Sequence, residues 1–335
     1  MISKAFLQLL QCIVAILVAL FTLNLVVLGY SHTGVHIRDA FGATDYKWEP
    51  GQWKTTMEEG FAAVRMDANG YNNRPQDCRA NHPDILLMGS SQVEGVHVRP
   101  KESLSALLND ACPQYYTYSI GVSGHTIYHC MNNLHAAYQA YRPERYILLF
   151  TDAIELETDA MAKVVAGEWP RIPSYDHGLL YRVQKAAPIV KALYKKIQDW
   201  RRAGMRSAQV KCVSGVSSTS EATQYEIALK QFLGVGRRAL EGTQCQLVLV
   251  YQPPTRIDRA GEYCPSESTV VREEFAQICH AQGIAFVDMT ECFQALFQRE
   301  YVLAHGFANT AVGVGHLNAK GNRAIAETIV SWLGH

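Results

Sequence analysis

The sequence carries no net charge: 31 lysines and arginines balance 31 aspartates and glutamates over 335 residues. Without a global field there is no electrostatic footprint for nucleic acid, and none is expected as a partner. Low-complexity segments and internal repeats are missing as well. None of the nine cysteines stands in a pair with metal-ligand spacing, so neither zinc nor any cofactor is expected. Cys12 falls in an apolar run. The other cysteines, at 78, 112, 130, 212, 245, 264, 279 and 292, form an even set. Such a set permits disulfides in an oxidising compartment without fixing their pairing. Cys245, Cys279 and Cys292 sit beside or within apolar runs, where buried free thiols are the alternative.

Charge is absent most completely near the amino terminus. From Ala5 to Leu28 there is no charged residue, and only Gln8, Gln11 and Asn24 interrupt the apolar run. At about 1.5 Å per residue this stretch reaches roughly 36 Å, enough to cross a hydrocarbon core of about 30 Å. A cleaved signal peptide would have a shorter apolar region and a small-residue cleavage site, which the following Gly-Tyr-Ser-His-Thr-Gly does not offer. Residues 1–30 are therefore expected to be an uncleaved transmembrane anchor, with residues 5–28 in the bilayer. Lys4 on one side and Arg38 and Lys47 on the other give only a slight positive-inside signal.

What is present points to one fold class. Hydrophobic residues make up 48% of the chain, ample for a core. Residues 31–79, rich in Gly, Asn, Trp and charge, are expected to be a stalk and domain entry. From 80 to 335 the pattern is regular. Apolar runs at Ile85–Met88, Tyr115–Ile120, Tyr146–Phe150, Gln246–Tyr251 and Ala285–Val287 alternate with helical segments near 101–109, 126–140, 220–240, 268–282 and 318–333. That alternation predicts an α/β fold: a mostly parallel five-stranded sheet with helices on both faces. An insertion at about 155–218 interrupts it. Within the insertion, residues 187–204 set Ile189, Leu193, Ile197 and Trp200 on one helical face. Lys191, Lys195, Lys196, Arg201 and Arg202 lie mostly elsewhere, as in a basic amphipathic helix. Such a helix packs on its own domain, closes over a site, or meets anionic headgroups.

Ligands in parallel sheets bind at the carboxyl ends of strands, where Ser90-Ser91, Gly121–Gly124 and Thr151-Asp152 fall. A serine attacks carbonyls only if a base takes its proton and donors receive the oxyanion. His316, followed by Leu317-Asn318 and Gly321, is the candidate base. Here the chain resembles the SGNH, or GDSL-type, hydrolase superfamily. Gly89-Ser90-Ser91 matches the first block, which implies Ser91 as nucleophile. Ser119–Thr126 matches the second, which implies an oxyanion-hole N–H from Gly124. His316-Leu317-Asn318 with Gly321 matches the last and implies His316 as general base. The implied architecture is a three-layer α/β/α sandwich.

Two positions depart from the family pattern. Asp152 stands where an oxyanion-binding Asn is expected, and an ionised carboxylate cannot donate a hydrogen bond. Gly313 stands three residues before His316, where the orienting Asp belongs. His316 is then oriented by a backbone carbonyl or by a more distant acid, or it works in a weakened dyad. Asp288 is as well suited to capping as to replacing that acid. His125, His129 and His135 read as helix-surface or core histidines, while His305 is a candidate lining residue. Glu94 either bonds near Ser91 or faces water.

Within this resemblance, an anchored domain is similar to bacterial proteins that move acyl groups on envelope polysaccharides. It implies an acylated glycan as substrate and a polytopic membrane O-acyltransferase as partner. It also implies a single-pass inner-membrane location with the domain facing the periplasm or cell exterior. The alternatives are a catalytically weakened component that binds glycan or supports the acyltransferase, and a lipid-directed esterase.

Overall fold

The structure is a computed structural model that describes residues 4–30, 36–38, 46–48, 50–56, 59–79, 81–168, 219–258, 260–311 and 313–334. The basic stretch at 187–204 and Cys212 lie outside the described residues. The chain divides into two compact units, 1–33 with 173–216 and 34–172 with 217–335. In the first, helix α1 (Lys4–Tyr30) is long and apolar enough to cross a membrane.

The second unit opens with two antiparallel hairpins. β1 (His36–Arg38) pairs with β2 (Tyr46–Trp48), and β3 (Trp53–Thr56) pairs with β4 (Ala62–Arg65). The sheet follows, with β5 (Ile85–Met88), β6 (Thr117–Ser119), β7 (Tyr146–Thr151), β8 (Gln246–Tyr251) and, after the two-residue pair β9 (Arg256–Ile257) and β10 (Tyr263–Cys264), β11 (Ala285–Asp288). Its order is β11-β8-β7-β5-β6, and every neighbouring pair is parallel. The helices are α2 (Ser91–Glu94), α3 (Leu104–Ala111), α4 (Ile127–Tyr141), α5 (Thr158–Val165), α6 (Thr219–Ala239), α7 (Thr269–Ala281), α8 (Thr290–Glu300) and α9 (Ala319–Leu333).

Strand periodicity decides which side each residue covers. Leu86, Met88, Ile147, Leu149, Leu247 and Leu249 face a core built with Met131 and Leu134 of α4, Phe232 of α6 and Phe275 of α7. Their neighbours Ile85, Leu87, Leu148, Phe150, Val248 and Val250 face Leu108 of α3, Phe293 of α8 and Ile325 of α9. Both faces are covered, which is why these strands read as unbroken apolar runs. Burying each such side chain contributes about 1.5–3 kcal/mol.

The sheet order also fixes where a site can form. From β5 the chain goes to one side for β6 and to the other for β7, so the carboxyl end of β5 is a topological switch point. Ser90 and Ser91 follow that end directly.

The stretch expected as stalk and domain entry supplies part of the folded unit. Trp48, Val64, Met66 and Val96 form a small buried cluster. Asn73 bonds both backbone groups of Ser119 on β6, and Asp67 accepts from Tyr118 Oη at 2.7 Å. Among the described residues no cysteine forms a disulfide. Burial pushes the Cys245 and Cys279 thiols up to about 12.

Leu148 is fully buried on the central strand β7. Leu148→Ala should cost about 2–5 kcal/mol of stability, read as a lower urea midpoint at unchanged slope.

Candidate active site

Gly89 ends β5, and Ser90 caps the short helix that follows: its Oγ accepts from the Gln92 N–H at 3.3 Å. Ser91 is the first residue of that helix. Its hydroxyl donates to His316 Nε2 at 2.7 Å. The two serines thus differ in task, one shaping the turn and the other facing the imidazole. On its other edge, His316 Nδ1 is in direct contact with the carboxylate of Glu59. A carboxylate only accepts, so Nδ1 carries the hydrogen and Nε2 keeps its lone pair toward Ser91.

The carboxylate that meets His316 is therefore a distant one, from the hairpin loop between β3 and β4. Asn309 holds that loop against the loop before α9, its Oδ1 accepting from Gly60 N at 2.9 Å and its Nδ2 donating to Gly60 O at 3.3 Å. Gly313, at the family's acid position, cannot take that role. Its φ is +70°, and a Cβ there would stand 2.7 Å from Leu303 Cδ1 and 2.8 Å from the Thr255 carbonyl oxygen.

His316 is held by its neighbours in sequence as well. Gln92, adjacent to Ser91, accepts from Leu317 N at 2.7 Å and donates to Gly315 O at 3.5 Å, bracketing the histidine. Asn318 caps α9 through Oδ1 while its Nδ2 bonds the carbonyls of Leu303 and Gly306. The His-Leu-Asn run is thus the histidine that meets Ser91, followed closely by the residue that anchors its loop.

The N–H groups of Ser91 and Gly124 donate to no acceptor among the described residues. Gly124 is exposed, in the loop after β6, with φ +88°. Glu94 steadies that loop. Its buried carboxylate accepts from Ser123 Oγ, next to Gly124, and from Trp48 Nε1, with Lys54 Nζ 3.7 Å away. Lys54 also lies 3.9 Å over the Trp48 ring, and burial lowers its pKa.

Asp152 is exposed after β7 and bonds no described residue. Burial pushes the Glu267 carboxyl up to about 7, and the charges of Glu155, Asp288 and Asp152 add to that shift against the opposing Arg272. Asp288 is a capping residue, accepting from Thr290 N and Oγ1 and pairing with Arg272. His305 is buried beside Thr255 Oγ1 at 3.2 Å, and burial drops its pKa to about 4. It supports the fold through a backbone bridge to Leu317. His129 closes a capping box with Thr126, and His135 bonds Ala239 O.

Sequence reasoning missed Glu59 and His97. His97 lies over the His316 ring and near Glu59, and these three residues bring candidate ligand atoms within 4.8 Å of one another. The only local hint was that Gly60 and Gly315 each stand one residue from a site group.

No family model matches the chain, and no curated protein matches its sequence. Solved structures do match. The acetyl xylan esterase AlAXEase is 14% identical with a TM-score of 0.41, over 74% of this chain and 98% of that one. The psychrotrophic esterase EstA from Pseudoalteromonas sp., inhibited by monoethylphosphonate, is 14% identical with a TM-score of 0.36, over 75% and 100%. Likeness at this level leaves the chemistry to be read from Ser91, His316 and Glu59 themselves.

Gly313→Asp restores the family's residue type at a position that cannot hold it. It should lower the melting temperature by several degrees, consistent with a loss of about 1–3 kcal/mol from left-handed strain. Melting the variant beside the parent checks this, and an unchanged melting temperature would contradict it.

Proposed function

We propose that this chain is a membrane-anchored serine acyl esterase or acyltransferase of the SGNH type. Its substrates are O-acyl groups, chiefly O-acetyl, on a cell-envelope or secreted polysaccharide. The observation that carries this reading is the hydrogen-bonded chain from Ser91 Oγ through His316 to Glu59. In the first step Ser91 Oγ attacks the ester carbonyl carbon while its proton passes to His316 Nε2. The negative charge that forms on the carbonyl oxygen is received by the Ser91 and Gly124 N–H groups. Collapse expels the alcohol, which takes the proton from His316, and leaves an acyl group on Ser91. Water then attacks for hydrolysis, or a second hydroxyl for transfer, with His316 again as base. Glu59 keeps the tautomer and stabilises the imidazolium between these steps.

Glu59 removes the ground for a weakened dyad, since the His316 ring has a charged partner after all. Asp152 is not used in this mechanism. The glycan target and a polytopic membrane O-acyltransferase as partner are supported by the motif resemblance together with the anchor. The same features support a single-pass location in a bacterial inner membrane with the domain in the periplasm.

Three variants test the chemistry on a chromogenic acetyl ester. Ser91→Ala should abolish turnover while Ser90→Ala, which removes only a cap, keeps a sizeable part of it. Glu59→Gln should lower kcat by about 10⁴, as loss of the carboxylate does in a serine triad. Comparable rates for Glu59→Gln and the parent would remove Glu59 from the mechanism. Deleting residues 1–30 should move the protein from the membrane to the soluble fraction, and protease added to spheroplasts should reach the folded domain. Protection of that domain in spheroplasts would overturn the periplasmic orientation.

A further inference from the structure

His97 has no part in the chain from Ser91 to Glu59, yet its ring lies face to face with that of His316. The centroids are 3.7 Å apart and the planes differ by 13°. His97 Nε2 stands 3.6 Å from Glu59 Oε2, beyond hydrogen-bond reach, and its Nδ1 is buried without a partner. Burial, reinforced by His316 and Lys54, lowers its pKa to about 2, so the ring stays neutral at working pH. Glu59, His97 and His316 are near enough to share an ion. Two rings in near-parallel planes, however, send their in-plane lone pairs side by side and not toward one point, so this geometry does not serve a metal.

We propose that His97 is a positioning residue: its stacked ring holds the plane of the His316 imidazole throughout the reaction. This rests on the reading of Ser91 and His316 as the reacting pair. The need arises from the reaction itself. Rotation of an imidazole about its second side-chain torsion is soft, and in the resting site bonds at both edges resist it. Once the acyl group is on Ser91 Oγ, the edge bond at Nε2 is lost, and only Glu59 holds the ring from its side. A face-on neighbour is indifferent to that change and keeps Nε2 aimed at the departing or attacking hydroxyl. Neutrality suits the task, since a charged neighbour would oppose the imidazolium, whereas an aromatic face favours it modestly.

The chain builds this contact economically. Gly95 ends α2, and His97 follows two residues later, so one turn presents both the nucleophile and the stacking ring. The His97 carbonyl oxygen lies where a Cβ on Gly60 would approach to 2.4 Å, and Gly60 has φ +67°. The acid's loop and the stacking residue are thus pressed together. Phe307 lies beside His97, with ring centroids 6.4 Å apart.

The test uses the full chain in detergent, with kcat and KM read separately on an acetyl ester. His97→Ala should lower kcat about 10–100-fold, the range expected of a small misplacement of a reacting group, with KM within about twofold. His97→Phe keeps an aromatic face and loses only nitrogens that make no hydrogen bond, so kcat should return to within about threefold of the parent. A parental kcat in His97→Ala, or a His97→Phe variant as slow as His97→Ala, would overturn the proposal. A second readout needs no turnover. In a Ser91→Ala background, which removes the bond at Nε2 as acylation does, spectra of ¹⁵N-labelled histidine should show a single Nδ1–H tautomer for His316 with His97 present and in His97→Phe, and a mixture in His97→Ala. A single tautomer in all three would also overturn it. If the parent shows no Ser91-dependent turnover, the esterase reading fails on its own while the spectra still decide the role of His97.

Discussion

The contact between Glu59 and His316 joins residues 257 positions apart in the chain, and much of the molecule exists to make it possible. Glu59 comes from a small hairpin whose Val64 packs with Trp48, Met66 and Val96 in a separate buried cluster. That hairpin must dock on a sheet it does not belong to. The bonds between Gly60 and Asn309 and from Thr56 Oγ1 to Val96 O hold the hairpin itself, and those from Asn73 to Ser119, from Tyr118 to Asp67 and from Trp48 to Glu94 hold the segments on either side of it. The last three satisfy buried polar groups that would otherwise each cost about 1–3 kcal/mol, and together these bonds specify the hairpin's position.

Glu94 links the parts further. Its backbone belongs to the helix that begins with Ser91, and its carboxylate reaches Ser123 beside Gly124 on one side and Trp48 and Lys54 on the other. A buried carboxylate with three partners fixes their relative positions, because moving any one away leaves the carboxylate undersatisfied. The turn that carries Ser91, the loop that carries Gly124 and the N-terminal strands are therefore joined through one side chain. Gln92, the residue next to Ser91, ties in the loop of His316 by bonding the backbone of Gly315 and Leu317 on either side of it.

The strands and most helices were legible because their signals are local. Ile85–Met88 and Gln246–Tyr251 are continuous apolar runs, as strands covered on both faces must be. Their five positions in the sheet agree with the alternation read from the chain. α8 was not anticipated, since Thr290 follows β11 with only Met289 between them. No glycine or proline marks that boundary, and Asp288 supplies the cap from the strand itself. α5 went unread because it lies inside what looked like an uninterrupted insertion.

By itself the sequence determined the two ends of the problem: an uncharged N-terminal run long enough for a bilayer, and a serine and histidine in a recognisable order on an α/β pattern. Those depend on composition and on spacing within one segment. Only the tertiary structure put a carboxylate beside His316. Gly313 sits at the family's spacing with a left-handed backbone and no room for a side chain, while Glu59 comes from a loop that carries no motif. Only the tertiary structure put His97 on the face of His316. A hydrogen bond or a stack depends on where the fold brings two groups and how it orients them, and contact between segments hundreds of residues apart leaves no period and no spacing for a sequence to display.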